Sequence, residues 1–534
     1  MDYDFIVVGA GSAGCVLANR LTADGMHKVL LLEAGEKDAS PFIHMPNGVG
    51  VVIAGTKYNW QFHTAREPEL NNRELFWPRG KALGGSSSIN GMVYIRGHAA
   101  DYDSWRQQGN MGWGYEDVLP YFKKSMNQER GEDDYHGVGG PLNVKDGNSK
   151  MPIHRMFIDA GIEAGYPFNP DFNGEEQEGV GPIQLTKIGN KRCSSARGYL
   201  TPIMDRNNLT IETEARLTRI VLEDGRATGV EYLHKGEVKK AKSSREVLLC
   251  AGAVQSPQLL KLSGIGNAEE LESHGIDCLH NLPGVGENLQ DHLDIVVQFH
   301  AEESATLQKF SKWYHVAYAG LRYLIRGDGP ATENAMEAAG FVKSRPDIDL
   351  PDLQLHFIPT FMFDHGRKRD NQSGICMHVC QLRPASRGRI LLEDANPLSD
   401  PKIEAGYLSA PGDLDVMVQG VKVARRIFGM KALTTIIGEE HSSSRGRDTD
   451  ESIEEFVREY AETVYHPVGT CKMGNDEMSV VDDQLRVNGL KGLRVVDASI
   501  MPTLVGGNTN APVIMIAEKA SDMILEVVDQ EMGC

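Results

Sequence analysis

Phe5-Ile6-Val7-Val8 opens the hydrophobic pattern of the chain, and Val29-Leu30-Leu31-Leu32 repeats it further on. Short unbroken apolar runs of this kind predict strands buried on both faces, as in a parallel sheet. Between them, Ser12–Leu21 carries apolar residues at helical spacing. The pattern returns with Leu209-Thr210-Ile211-Glu212 and Ile220-Val221-Leu222. Asp224-Gly225 then reads as a hairpin turn into a strand over 227–232. Residues 246–249 predict another buried strand, followed by a helix over 255–266. Its expected start signals are Ser256 as N-cap and Pro257 in the first turn, and Gly264 is the stop.

The period changes near residue 300. Residues 305–345 read as a helical stretch with an aromatic stripe (Trp313, Tyr314, Tyr318, Leu321, Tyr323), expected to be core rather than a binding face. Leu353–Ile358, 375–382 and 388–392 alternate like strands of an antiparallel sheet with one face on a core. Residues 411–430 and 450–463 read as amphipathic helices with Asp413 and Glu451 near their starts. A short strand ending at Asp497 and a helix over 513–528 close the pattern.

Gly9, Gly11 and Gly14 have G-x-G-x-x-G spacing between the first strand and the first helix. The first glycine permits a tight turn, the second lets backbone approach a pyrophosphate, and the third lets helix pack on sheet. The helix N-terminus, with Ser12 and Ala13, offers free N–H groups to phosphates. Glu33, at the end of the second strand and followed by Ala34, is placed to accept ribose hydroxyls and would repel a 2′-phosphate. The motif predicts a dinucleotide but does not separate FAD from NAD. A second glycine-rich segment, Gly80-Lys81-Ala82-Leu83-Gly84-Gly85-Ser86-Ser87-Ser88-Ile89-Asn90, can bring backbone N–H groups against a ligand.

With 534 residues the chain exceeds one ordinary core. The expected division is a discontinuous nucleotide-binding domain over 1–155, 190–300 and 464–534, with a substrate domain over 156–189 and 301–463. The fold class is α/β: a Rossmann-like dinucleotide-binding domain plus an α+β domain with an antiparallel sheet. A net charge of −19 argues against nucleic acid as a partner and against adhesion to anionic lipid through a basic face. No run reaches the roughly 18 apolar residues of a membrane span. Met1-Asp2-Tyr3-Asp4 lacks a basic signal region, so a cytoplasmic location is expected. The cysteines are scattered, and the histidines lack clustered ligand spacing, so no metal site is expected.

His466 lies in Tyr465-His466-Pro467-Val468-Gly469-Thr470-Cys471, with Pro467 restricting the backbone before it. Histidine is the side chain best suited to move a proton near neutral pH. A satisfied structural histidine is the ordinary alternative. Gly506-Gly507-Asn508-Thr509-Asn510-Ala511-Pro512 forms another glycine-rich loop at a helix start, and Asn510 can donate and accept without ionising. Oxidation of an alcohol needs a base, a group to hold the oxygen, and a hydride acceptor.

Together these motifs resemble the glucose–methanol–choline oxidoreductases, a family of flavoproteins. The resemblance covers nearly the whole chain. The Trp77-Pro78-Arg79-Gly80 and His466 segments are most similar to bacterial primary-alcohol dehydrogenases, which pass electrons to quinones, and to the choline dehydrogenase branch. The resemblance implies FAD at Gly9, Gly11, Gly14 and Glu33. It implies flavin-ring contacts from Gly84, Asn90, Gly91, Met92 and Val93, and adenine-side contact from the Leu217 backbone. Ala251, Asp497, Ala498 and Thr509 would also lie along the cofactor. His466 would be the base and Asn510 its partner at the substrate oxygen. Relatives that tether FAD use a histidine where this chain has Ile89, so non-covalent FAD is implied. A medium-chain or otherwise apolar alcohol, a quinone-type acceptor and peripheral contact with the inner membrane are the implied partners. An oxygen-using oxidase, a fatty-acid photodecarboxylase (with Cys380 and Arg383 near the pocket) and a non-redox lyase are the alternatives.

Overall fold

The computed structural model describes residues 2–147, 151–310, 312–368 and 372–532; the Trp313 side chain and Cys534 lie outside the described residues. Five strands form a parallel layer in the spatial order Leu209–Glu212, Val29–Leu32, Asp2–Val8, Glu237–Leu249, Leu493–Val495. Phe5, Ile6, Val7, Leu30, Leu31, Val247 and Leu248 are wholly buried, as the unbroken apolar runs require. Each such side chain contributes roughly 1.5–3 kcal/mol by leaving water. The first half of Glu237–Leu249 pairs antiparallel with Arg226–His234, which pairs in turn with Ala215–Glu223. Asp224 and Gly225 both take positive φ (48° and 74°), the two-residue turn that matches strand twist.

The helix expected from Ser256 starts earlier, at Gly252, and contains Pro257. Ser256 is an internal anchor rather than a cap: its hydroxyl accepts from Ala251 N–H (3.1 Å) and donates to Asp497 (2.5 Å). Pro257 has no N–H for the Ala253 carbonyl four residues back. The Thr470 hydroxyl donates to that carbonyl at 2.6 Å, so the helix tolerates the proline.

The second sheet is antiparallel, in the order Ile437–Glu440, Leu293–Ala301, Gly374–Gln381, Leu353–Ile358, Ala338–Val342, Gly179–Pro182; Glu462–Thr463 also pairs with Leu293–Ala301. The strand Leu293–Ala301, expected with the nucleotide block, belongs here instead. The predicted alternation sorts side chains between two faces. Leu353, Leu355 and Phe357 share a core with Met417 and Val421 of the helix Asp413–Phe428. His356 and Ile358, with His378 across the strand pair, face the large cavity between the sheets.

The stretch around 305–345 corrects an expectation. Its helix is Trp313–Arg326, and the aromatic and aliphatic stripe is mostly outside the core. Tyr314, Val316, Tyr318, Leu321, Leu324 and Ile325 are exposed, Ile325 by 72%. Tyr323 is buried, in a small cluster with Met45 and Ala331. No helix of the described residues is long and apolar enough to cross a membrane.

Candidate active site

A cavity of about 580 Å³ runs from the glycine turn to the face of the antiparallel sheet. Gly9, Gly11, Ser12, Ala13, Glu33 and Ala34 line one end; Asn90, Gly91, Met92 and Val93 line its middle. Leu217, Ala251, Asp497, Ala498, Thr509, Asn510 and His466 also border it. Gly14 and Gly84 do not. Gly14 works behind the wall: a Cβ there would sit 1.8 Å from the Gly9 carbonyl, so it sets helix-to-strand packing. Gly84, at φ 87°, carries the turn whose next residues, Gly85 and Ser86, reach the cavity.

The cradle fits a dinucleotide. A Cβ at Gly11 would meet no protein atom nearer than the Cys250 carbonyl at 3.9 Å. Nothing in the chain excludes a side chain there, whereas a diphosphate lying on the helix N-terminus would. Glu33 accepts N–H bonds from Ala10 (2.9 Å) and Gly35 (2.8 Å), one on each oxygen, leaving a lone pair on each for a ribose. Burial pushes its carboxyl up to about 7. Asp497 has both oxygens engaged by Gly252, Ser256 and Ser499, so it ties loops together beneath the cavity.

At the other end, the loop 463–468 zips against residues 290–292. Val468 and Gln290 exchange backbone bonds, and Val464 N–H donates to the His292 carbonyl. Asp291 accepts the His466 backbone N–H at 2.6 Å and the hydroxyls of Thr463 and Tyr407. Tyr465 takes a positive φ of 68°, and Arg79 donates to its carbonyl at 2.7 Å. Strain of this kind persists where the surroundings over-determine the backbone, and here it aims the next residue, His466, into the cavity.

The carboxamide that reaches His466 is that of Asn508, not Asn510. Asn508 Nδ2 lies 3.1 Å from His466 Nε2, and Gln354 donates to Asn508 Oδ1 at 3.0 Å. Asn510 opens the final helix, and its Oδ1 accepts from Ser12 Oγ at 2.7 Å. On the far side of the imidazole, His466 Nδ1 is 2.9 Å from His292 Nδ1. Burial, then His292, His356 and Arg79, hold His466 well below the usual histidine range, so it is neutral near pH 7. His378, also in the wall, is raised well above that range: the Asp294 carboxylate bonded to its Nδ1 outweighs burial.

His292, His356, His378 and Asn508 were not singled out in the sequence. His356 and His378 were recoverable from alternation on their strands; His292 had no local signal. Cys380 and Arg383 do not line the cavity. Arg383 pairs with Asp101, which holds the Gly506 N–H at 2.7 Å.

The GMC oxidoreductase family models match residues 3–294 and 384–517. The chain is a GMC oxidoreductase. It is 50% identical over 531 residues to an alcohol dehydrogenase [acceptor] of Pseudomonas putida, covering 99% of this chain and 96% of that one. It is 46% identical over 532 residues to the mitochondrial choline dehydrogenase of Mus musculus, covering 98% and 89%. Among solved structures, a formate oxidase variant of Aspergillus oryzae RIB40, studied for FAD modification, superposes with a TM-score of 0.93 at 26% identity, over 98% of both chains. This GMC oxidoreductase is thus an FAD enzyme acting on CH–OH donors.

Proposed function

We propose that the chain oxidises a primary, apolar alcohol to the aldehyde, with electrons passed to a quinone-type acceptor. The observation that carries this reading is the pairing of a neutral imidazole nitrogen, His466 Nε2, with an amide donor, Asn508 Nδ2, at one spot of the cavity. An alcohol entering between them donates its O–H to Nε2 and accepts from Nδ2. His466 then takes the hydroxyl proton, and the amide holds the developing alkoxide. Bound FAD supplies the two-electron acceptor. Ile89 offers no nucleophile for a tether, so FAD is held without a covalent bond.

The wall near His466 supports an apolar substrate: Met336, Ile358, Met362 and Val464 contribute to it. Rapid mixing under anaerobic conditions with a series of linear alcohols and with choline tests this. Flavin absorbance should bleach with the alcohols and recover on adding quinone. No bleaching with any alcohol, or peroxide formed at the full turnover rate in air, ends the dehydrogenase reading.

The exposed helix Trp313–Arg326 supports a lipid surface as the place of work. Tyr323 donates to the His44 carbonyl at 3.0 Å, so the helix leans on the segment whose Pro46, Val49 and Ile53 line the cavity. Arg322 on its edge is paired with Asp328 at 2.6 Å, which leaves the apolar arc as the feature the helix presents. An exposed apolar arc suits the surface of a bilayer, where apolar alcohols and quinones dissolve. Sedimentation with lipid vesicles should capture the protein. A vesicle-free supernatant with a concentration-dependent dimer would assign the face to a second copy instead.

A further inference from the structure

Four polar groups stand in one line through the site: the Leu382 carbonyl, His292, His466 and Asn508. His292 Nε2 is 3.1 Å from the Leu382 oxygen, and its Nδ1 is 2.9 Å from His466 Nδ1. The two rings meet edge to face, 5.2 Å apart at 88°. A carbonyl only accepts, so His292 must carry its proton on Nε2. A neutral imidazole then has a bare lone pair on Nδ1. Two lone pairs cannot share a hydrogen bond, so His466 must carry its proton on Nδ1. That leaves Nε2 of His466 as the lone pair facing Asn508 and the cavity.

We propose that His292 is the positioning residue that locks His466 in its Nδ1–H tautomer, so that Nε2 is the base. This rests on the reading of His466 as the base. His292 does not itself line the cavity; it acts through His466. It does for His466 what a carboxylate does in a serine-hydrolase triad, holding the tautomer and steadying the imidazolium formed when Nε2 takes the proton. The proton stays on His466: the substrate O–H breaks, Nε2–H forms, and Nδ1–H keeps donating to His292.

The direction of the chain depends on a neutral His292. Burial, then Arg383 and His356, push its pKa down to about 3, so it is neutral near pH 7. A protonated His292 would donate from Nδ1, turn His466 over to its Nε2–H form and remove the base. A carboxylate in this place would also fix the tautomer, but it would leave a buried charge with only a carbonyl behind it.

The test has two parts. The first is nitrogen-15 NMR of histidine-labelled FAD-bound protein, with the His466 ring identified by its loss in His466→Ala. The expected spectrum shows Nδ1 protonated and Nε2 bare, and it needs no substrate. The second compares His292→Gln, which keeps an acceptor toward His466 and a donor toward Leu382, with His292→Phe, which keeps neither. With FAD content unchanged, His292→Phe should lower the limiting rate of flavin reduction about 10- to 100-fold, with little change in the alcohol concentration at half-maximal rate. His292→Gln should recover most of that loss. An Nε2–H His466 in the unaltered protein overturns the proposal. So does a His292→Phe enzyme at full rate, or equal losses in both variants. An Nδ1–H His466 in a protein that no alcohol reduces would leave the tautomer lock standing and end the functional reading alone.

Discussion

At the scale of single residues, the site separates two asparagines two positions apart. Asn508 contacts the imidazole, and Asn510 contacts Ser12 at the helix start. Asn508→Ala should therefore lower the limiting rate of flavin reduction about a hundredfold, as loss of one oxyanion donor does. Asn510→Ala should leave that rate unchanged; equal losses would remove the distinction. His466→Ala should keep FAD and cut the same rate by about a hundredfold or more. Because burial and its neighbours lower the His466 pKa, the base stays unprotonated well into the acid range. The rate of flavin reduction, followed against pH without oxygen, should stay flat as pH falls through 6.5 and drop only below that. A limb at or above 6.5 would contradict the neutral, buried base. The sequence singled out Asn510 in this loop, and the structure brings Asn508 to the imidazole. Both asparagines sit in one glycine-rich run, and which of them faces the imidazole depends on where the helix begins; it begins at Asn510, whose Oδ1 accepts from Ser12.

At the scale of elements, the glycine turn divides into a structural part and a ligand part. Gly14→Ala would force a Cβ against the Gly9 carbonyl and should fail to fold or lose several kcal/mol of stability. Gly11→Ala meets no such obstacle. It should fold with unchanged melting in its FAD-free form, yet lose FAD on gel filtration. An FAD-replete Gly11→Ala protein would show that the phosphates lie elsewhere. The strand–helix–strand start was legible because one apolar run, three glycines and one acid each have a single local purpose. The helix Gly252–Leu262 was less so. Its Pro257 looks like a start signal until Thr470, over two hundred residues away, is seen satisfying the carbonyl that the proline leaves open. The helix Trp313–Arg326 misled in another way: its apolar stripe has core composition, and sequence alone does not say whether an apolar face meets protein or something else. Leu324→Asp with Ile325→Asp should abolish vesicle binding and leave the rate of flavin reduction by a water-soluble alcohol unchanged. Undiminished binding would exclude the face.

At the scale of the molecule, the two sheets do different work. The parallel layer places glycine turns and helix starts along one rim, and the antiparallel sheet supplies the opposite wall with His356 and His378. The class of fold was readable from the change of period near residue 300, but the membership of Leu293–Ala301 was not. An apolar strand suits either sheet, and its pairing with Gly374–Gln381 is a long-range event. The nucleotide cradle joins positions far apart in the chain. Ser12 meets Asn510, and Arg20 on the first helix forms an ion pair with the buried Glu518 on the last at 2.7 Å. During synthesis the first glycine turn leaves the ribosome long before the segment that closes over it. Cofactor capture must therefore await the segment around Asn510, and a nascent chain stalled before residue 500 should emerge colourless.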